Sequence, residues 1–149
     1  MDHFTLMNND LQKKRMFLFL QGPHGPFFSQ LAGALESYGH TTCQIGFNQG
    51  DKIFWANKQN FVAFTLPLEA WSGFFQRQIR DKQITDLVIY NDTRPFHKTA
   101  IQAAHAKGIN VHIFEAVSYT HLTLPTIVEV LVAVGAGSLK GGGGGGGGG

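Results

Sequence analysis

Met16 to Leu20 reads MFLFL, an unbroken apolar run that stops at Gln21 and gives way to the loop sequence GPHGP. Five residues are too few for a stable helix, and a strand without polar alternation has to be covered on both faces. That confines the chain to folds in which a mainly parallel sheet lies between two layers of helix. In such sheets the ligand crevice lies at the carboxyl ends of the strands, so Gln21, Gly22, His24 and Gly25 stand where a ligand would be met.

The rest of the chain repeats this unit. Phe27, Phe28, Leu31, Ala32, Leu35 and Tyr38 recur at helical spacing, and Gly39 stands where a left-handed cap would end the helix. Thr42 to Phe47 is β-prone and closes on a turn marked by Gly46, Asn48, Gly50 and Asp51. Lys52 to Lys58 has no clear period and reads as an irregular connection carrying Phe54 and Trp55. Asn60 to Leu66 is β-prone. Pro67 then suits the first turn of a helix whose Leu68, Trp71, Phe75 and Ile79 share a face. Asp86 to Tyr90, DLVIY, is a second short apolar strand, followed at once by Asn91, Asp92, Thr93, Arg94 and Pro95. Thr93 is expected to cap the next helix, with Phe96, Ala100, Ile101 and Ala104 facing inward until Gly108. Asn110 to Phe114 is a fifth strand, ending on Glu115.

With each crossover right-handed, this order predicts an α/β, Rossmann-like three-layer domain over residues 16–115 with a mainly parallel five-stranded sheet in the order 3-2-1-4-5. The switch point falls between the first and fourth strands. Their loops, Gln21 to Gly25 and Asn91 to Pro95, then flank one crevice, with Glu115 beside it.

Composition removes several classes of function. A formal charge of +2 over 149 residues is too small to argue for nucleic acid, and Lys13, Lys14 and Arg15 read as a solvated, flexible terminus of residues 1–15. A single cysteine, Cys43, within an apolar strand pattern points to an inert core thiol and a reducing compartment. The first residues lack the apolar core of a signal peptide, so a soluble, cytoplasmic protein is expected. The seven histidines are scattered, with neither HExxH nor CxxC, and no metal or other cofactor is expected. QGPHGP matches neither a Walker A loop nor GxGxxG, and Ser29 and Ser72 lack a nucleophile-elbow context.

Val117 to Thr126, VSYTHLTLPT, resembles the translation of a transposase-end adapter used in preparing short-read DNA libraries, and Gly141 to Gly149 is what a run of G base assignments would encode. Residues 116–149 are therefore expected to be an artificial, disordered tail that adds nothing to stability, leaving Leu122 to Leu139 and His121 outside the fold and the site. The remaining chain suffices for one α/β core.

A polar set on three loops carries whatever chemistry is present: Gln21 and His24, then Asp92, Arg94 and His97, then Glu115. Asp92 or Glu115 can accept a proton from an attacking hydroxyl, Arg94 can grip a carboxylate or phosphate through two parallel hydrogen bonds, and His97 or His24 can donate to a developing charge. Each also has a plain structural role: helix capping with an Arg94 ion pair for Asp92, a surface or cap position for the histidines, a solvated strand end for Glu115.

The segments FLFLQGPHGPFFSQLAGAL, GFNQGDKIFW, ITDLVIYNDTRPFHKTAIQAA and GINVHIFE resemble, in this order, the amino-terminal part of the bacterial capsule polysaccharide biosynthesis and export family of the KpsS/LipB type. The resemblance runs from Met16 to Glu115. It implies a retaining β-Kdo (3-deoxy-D-manno-octulosonic acid) transferase that moves Kdo from CMP-Kdo to a glycerophospholipid, with two Rossmann-like domains in the arrangement called GT-B. Under it Asp92, Glu115 and His97 are the catalytic candidates, and Gln21, Gly22, His24, Gly25, Asn91 and Arg94 the substrate-binding ones. Its implied partners are the nucleotide sugar, the phospholipid acceptor and capsule assembly or export proteins, with peripheral contact at the inner membrane. The family continues past the fifth strand with a second acidic residue, a glycine and an aromatic, where this chain has Ala116 and adapter-like sequence. A fragment ending there is expected to be inactive alone. A non-catalytic export or assembly component that binds glycolipid is the alternative, and a flavodoxin-like or receiver-like module is disfavoured because the early acidic cluster of receivers is missing.

Overall fold

The computed structural model describes residues 14–21, 26–56, 58–91, 94–115 and 123–134. Five strands, β1 (Met16–Leu20), β2 (Thr41–Gly46), β3 (Phe61–Ala63), β4 (Asp86–Tyr90) and β5 (Asn110–Phe114), form one sheet in the order β3-β2-β1-β4-β5. Every pairing is parallel, with Leu20 opposite Ile45 and Ile89, and Tyr90 opposite Phe114. The expected Rossmann-like α/β architecture and its strand order are those observed.

Alternate residues of the central strands feed two cores, which is why these strands read as solid apolar runs. Leu18, Leu20, Cys43, Ile45, Leu87 and Ile89 face the helices α3 (Trp71–Lys82) and α4 (Pro95–Ala106). Phe17, Phe19, Val88 and Phe114 face α1 (Phe27–Ser37). Burial drives the Cys43 thiol up to about 12, so it is inert core as expected. Helix α1 ends at Gly39 (φ 96°) and α4 at Gly108 (φ 72°), left-handed positions where glycine carries no Cβ penalty.

The structure departs from the sequence reading in five places. A short helix, α2 (Gln49–Ile53), runs from the expected turn into the stretch expected to be irregular, fixed by a reciprocal capping box in which Asn48 Oδ1 accepts from Asp51 N and the Asp51 carboxylate accepts from Asn48 N. Leu68 is exposed: Pro67 stays extended, a 3-10 turn covers Leu68–Ala70, and the change of pitch carries Leu68 off the Trp71–Phe75–Ile79 stripe. Helix α4 is capped by the backbone of Arg94 without a side-chain bond, and Thr93 lies outside the described residues. Arg15 is not solvated. It is 8% exposed, and its guanidinium grips the Asp86 carboxylate bidentately at 3.0 and 2.7 Å. An aspartate opening a fully buried strand has to find such a partner.

The fifth departure is α5 (Leu124–Val134), within the stretch expected to take no part in the fold. Ile127, Val128 and Leu131 share a stripe and are buried against the α1 side of the sheet, and Arg15 donates to the carbonyls of Leu131 and Val132. An amphipathic segment packs on an available apolar face whatever its origin. Truncation after Glu115 uncovers that apolar face and removes the two carbonyl acceptors of Arg15, and is expected to lower the unfolding free energy by ~1–3 kcal/mol. Denaturant titration of residues 1–115 against the full chain checks it, and identical midpoints would show that α5 contributes nothing.

Candidate functional site

At the carboxyl end of the sheet, β1 and β4 are neighbours and their helices leave on opposite faces, the switch point at which sheets of this kind hold their ligands. The β4–β5 register carries one residue further, Asn91 beside Glu115, through Asn91 N–H donating to Phe114 O, and Gln21 follows directly on Leu20, which pairs with Ile89.

Gln21 ends β1 in a left-handed conformation, φ 38°, held by its N–H donating to Ile45 O at 3.0 Å. A positive φ is costly for a side chain of this size and marks a constrained position. The residue is buried, and among the described residues its Oε1 has no hydrogen-bond partner. An unmet buried amide oxygen at a strand terminus can accept from a ligand hydroxyl. Gly22, His24 and Gly25 lie outside the described residues.

Asn91 is also left-handed, φ 68°, a conformation asparagine tolerates. Its N–H donates to Phe114 O at 2.7 Å, closing the β4–β5 ladder, and its carbonyl accepts from His97 Nδ1 at 2.7 Å. Because a carbonyl only accepts, that bond places a proton on Nδ1. His97 is 1% exposed, on the same helical stripe as Ala100 and Ala104. It is thus neither a surface nor a cap histidine, and it holds the loop backbone from below. Asp92 lies outside the described residues, between Asn91 and Arg94. Arg94 is exposed at the start of α4, where its carbonyl accepts from the N–H groups of His97 and Lys98 at 3.0 Å each, and Glu115 is exposed at the end of β5. Arg94, Asn91 and Glu115 are therefore brought to one end of the sheet beside Gln21, while His97 sits beneath them.

Among the described residues no group of three His, Cys, Asp or Glu side chains is placed to hold a metal, and no helix is long and apolar enough to cross a membrane.

The sequence reading missed a second polar cluster, at the opposite end of the sheet. Around the buried Asp86 carboxylate stand Arg15, His112 (2.8 Å), Thr85 (2.7 Å) and Asn110 (3.2 Å). Arg15 also lies 5.1 Å from the centre of the Phe17 ring, and its N–H donates to His40 Nδ1 at 3.1 Å. Burial alone would raise the Asp86 carboxyl, but hydrogen bonds from His112, Arg15 and Thr85 outweigh it and hold it at about 2. His40 is pushed down, by burial first and by Arg15 second. The signal was the acidic first residue of DLVIY. With the amino ends of the strands facing away from the crevice, this cluster is part of the fold's support.

No family model matches the chain. The capsule polysaccharide export protein KpsS of Escherichia coli is 37% identical over 101 residues, which is 68% of this chain and 26% of that protein. The capsule polysaccharide modification protein LipB of Neisseria meningitidis serogroup A is 34% identical over 116 residues, 74% of this chain and 28% of LipB. The chain thus spans about a quarter of the length of these curated relatives. A solved structure, the precorrin-6A reductase CobK, overlaps 91% of this chain and 54% of its own with a TM-score of 0.48 at 17% identity, too loose to carry an argument. Over the stretch it shares with them, the chain is a relative of the KpsS and LipB capsule polysaccharide proteins.

Proposed function

We propose that the full-length protein acts in capsule polysaccharide biosynthesis by transferring Kdo from CMP-Kdo to a glycerophospholipid, and that this domain supplies the acceptor-side loops of a two-domain, GT-B-like site. The observation that carries it is the convergence of Arg94, Asn91 and Glu115 with the unmet Gln21 amide oxygen at the switch point of the sheet, in a chain whose relatives bear capsule names. In this reading Asp92 or Glu115 takes the proton of the acceptor hydroxyl, and Arg94 binds an anionic group of the substrate. His97 keeps the Asn91 carbonyl in place, a positioning role. Gly22, His24 and Gly25 are the further substrate-binding candidates of this reading. No metal or other cofactor is required. The protein would work from the cytoplasm, in peripheral contact with the inner membrane where its acceptor lies.

The test is transfer from CMP-Kdo to a phosphatidylglycerol analogue by the purified full-length protein, followed by mass spectrometry of the lipid. A lipid product heavier by one Kdo is expected, and none from verified donor and folded protein would overturn the reading. The word export in the name of the KpsS relative favours a second reading, a non-catalytic, glycolipid-binding export or assembly component. Lipid binding without donor hydrolysis or transfer would establish that one instead.

A further inference from the structure

A pocket of about 540 Å³ opens at the carboxyl ends of β2 and β3, on the same side of the sheet as the candidate site but at its other edge. That volume lies within the range of small-molecule sites, roughly 300–1,000 Å³. The pocket is lined by Phe47, Phe61 and Ala63 together with Gln49, Lys52 and Lys58. We propose that this pocket binds a small phosphate ester, the phosphate at Lys52 and the carbon body against Phe47 and Phe61.

The sign of the charge comes first. Two lysines line the pocket and no acidic residue does. Asp51, the acid nearest in sequence, has its carboxylate turned onto the N–H groups of Phe47 and Asn48 at 2.7 and 3.3 Å, where it fixes the turn. Lys58 is committed to structure, its Nζ donating to the carbonyls of Lys52, Ile53 and Trp55. Its charge still adds to the local potential. Lys52 is exposed, and its Nζ has no hydrogen bond or ion pair among the described residues, so it has donors to spare. A lysine is a point charge that suits a phosphate from any direction.

The apolar walls are built rather than incidental. Phe61 crosses β2 at Gly46, where an added Cβ would lie 2.4 Å from the phenyl Cζ, so glycine is what admits the ring. Phe47 stacks on Phe96 with ring centres 4.4 Å apart, which ties the pocket wall to the first turn of α4, two residues from Arg94. A bare anion has no use for two phenyl faces; an ester with a short carbon body does.

Titration of the ¹⁵N-labelled full chain with sn-glycerol 3-phosphate tests this without donor or transfer, so it stands or falls separately from the Kdo reading. Saturable shifts are expected at the amides of residues 47–52 and 61–65, with glycerol inert, inorganic phosphate at least fivefold weaker, and Lys52→Ala weakening the ester at least fivefold. Lys52 is exposed, and the spectrum itself reports that the variant is folded. Competition by phosphatidylglycerol vesicles, but not phosphatidylcholine vesicles, assigns the ester to a lipid head; its absence assigns it to a soluble ester. Unsaturable shifts, equal binding by Lys52→Ala, or phosphate binding as tightly as its ester would each overturn the proposal.

Discussion

Asp86→Ala is expected to cost about 3–5 kcal/mol of folding free energy, because it strands the Arg15 guanidinium in a site where both side chains are almost wholly out of water. It also removes the acceptor of His112 and Asn110. Replacing both members, Arg15→Met with Asp86→Leu, should recover much of the loss, since removing a buried pair entirely leaves no uncompensated charge. Denaturant unfolding of the two variants checks this, and a single-variant loss below about 1 kcal/mol would mean that the pair is solvated in practice.

The same cluster sets an acid limit on the fold. Asp86 is held at about 2, below its unfolded value near 4, so its contribution is fully present above pH 4 and is lost as pH falls through that interval. The loss amounts to roughly 2–3 kcal/mol. His40 acts earlier and with the same sign. Its folded pKa is depressed, so the unfolded chain binds the proton first and stability starts to fall once pH drops below about 6.5. Unfolding midpoints measured from pH 7 to pH 2 should show both stages in the unsubstituted chain, and only the earlier one in Asp86→Ala.

Why the sheet was legible and this cluster was not is a matter of range. Short apolar runs, turn glycines and right-handed crossovers are local signals, and together they determine five strands and their order. Arg15 and Asp86 are 71 residues apart, and a lysine-arginine cluster looks the same in sequence whether or not a carboxylate waits for it. His97 is an intermediate case. Its spacing of three and seven from Ala100 and Ala104 places it on the buried stripe, but the chemical interest of a histidine beside a crevice loop hid the plainer geometric reading. Leu68 failed for the opposite reason: the stripe was read one turn too far, across a 3-10 turn whose pitch does not preserve it. In the site itself the sequence could place Gln21, Asn91, Arg94 and Glu115 at one sheet end, because position along a parallel strand decides that. It could not reveal that Gln21 and Asn91 take left-handed backbone, which no glycine announces.

Under the proposed transferase reading, Asp92→Asn in the full-length protein is expected to lower the rate of Kdo transfer by about a hundredfold or more while leaving stability nearly unchanged. The substitution preserves shape and the ability to cap a helix, so a purely structural aspartate would be replaced almost silently. It removes only basicity. The position has the right neighbours for that function: Asn91 before it is pinned by Phe114 and His97, and Arg94 after it opens α4, so the loop is anchored on both sides. Arg94→Ala should act differently, raising KM for the anionic substrate more than it lowers kcat, because a guanidinium grips a charge present in the ground state as well. His97→Ala should impair both through the loop it supports, and His97→Asn, which keeps a donor for the Asn91 carbonyl, should rescue part of that loss. Transfer assays with matched unfolding curves separate these patterns. Near-normal transfer by Asp92→Asn would remove Asp92 as the base and move the role to Glu115, the exposed carboxylate level with Asn91 on the neighbouring strand.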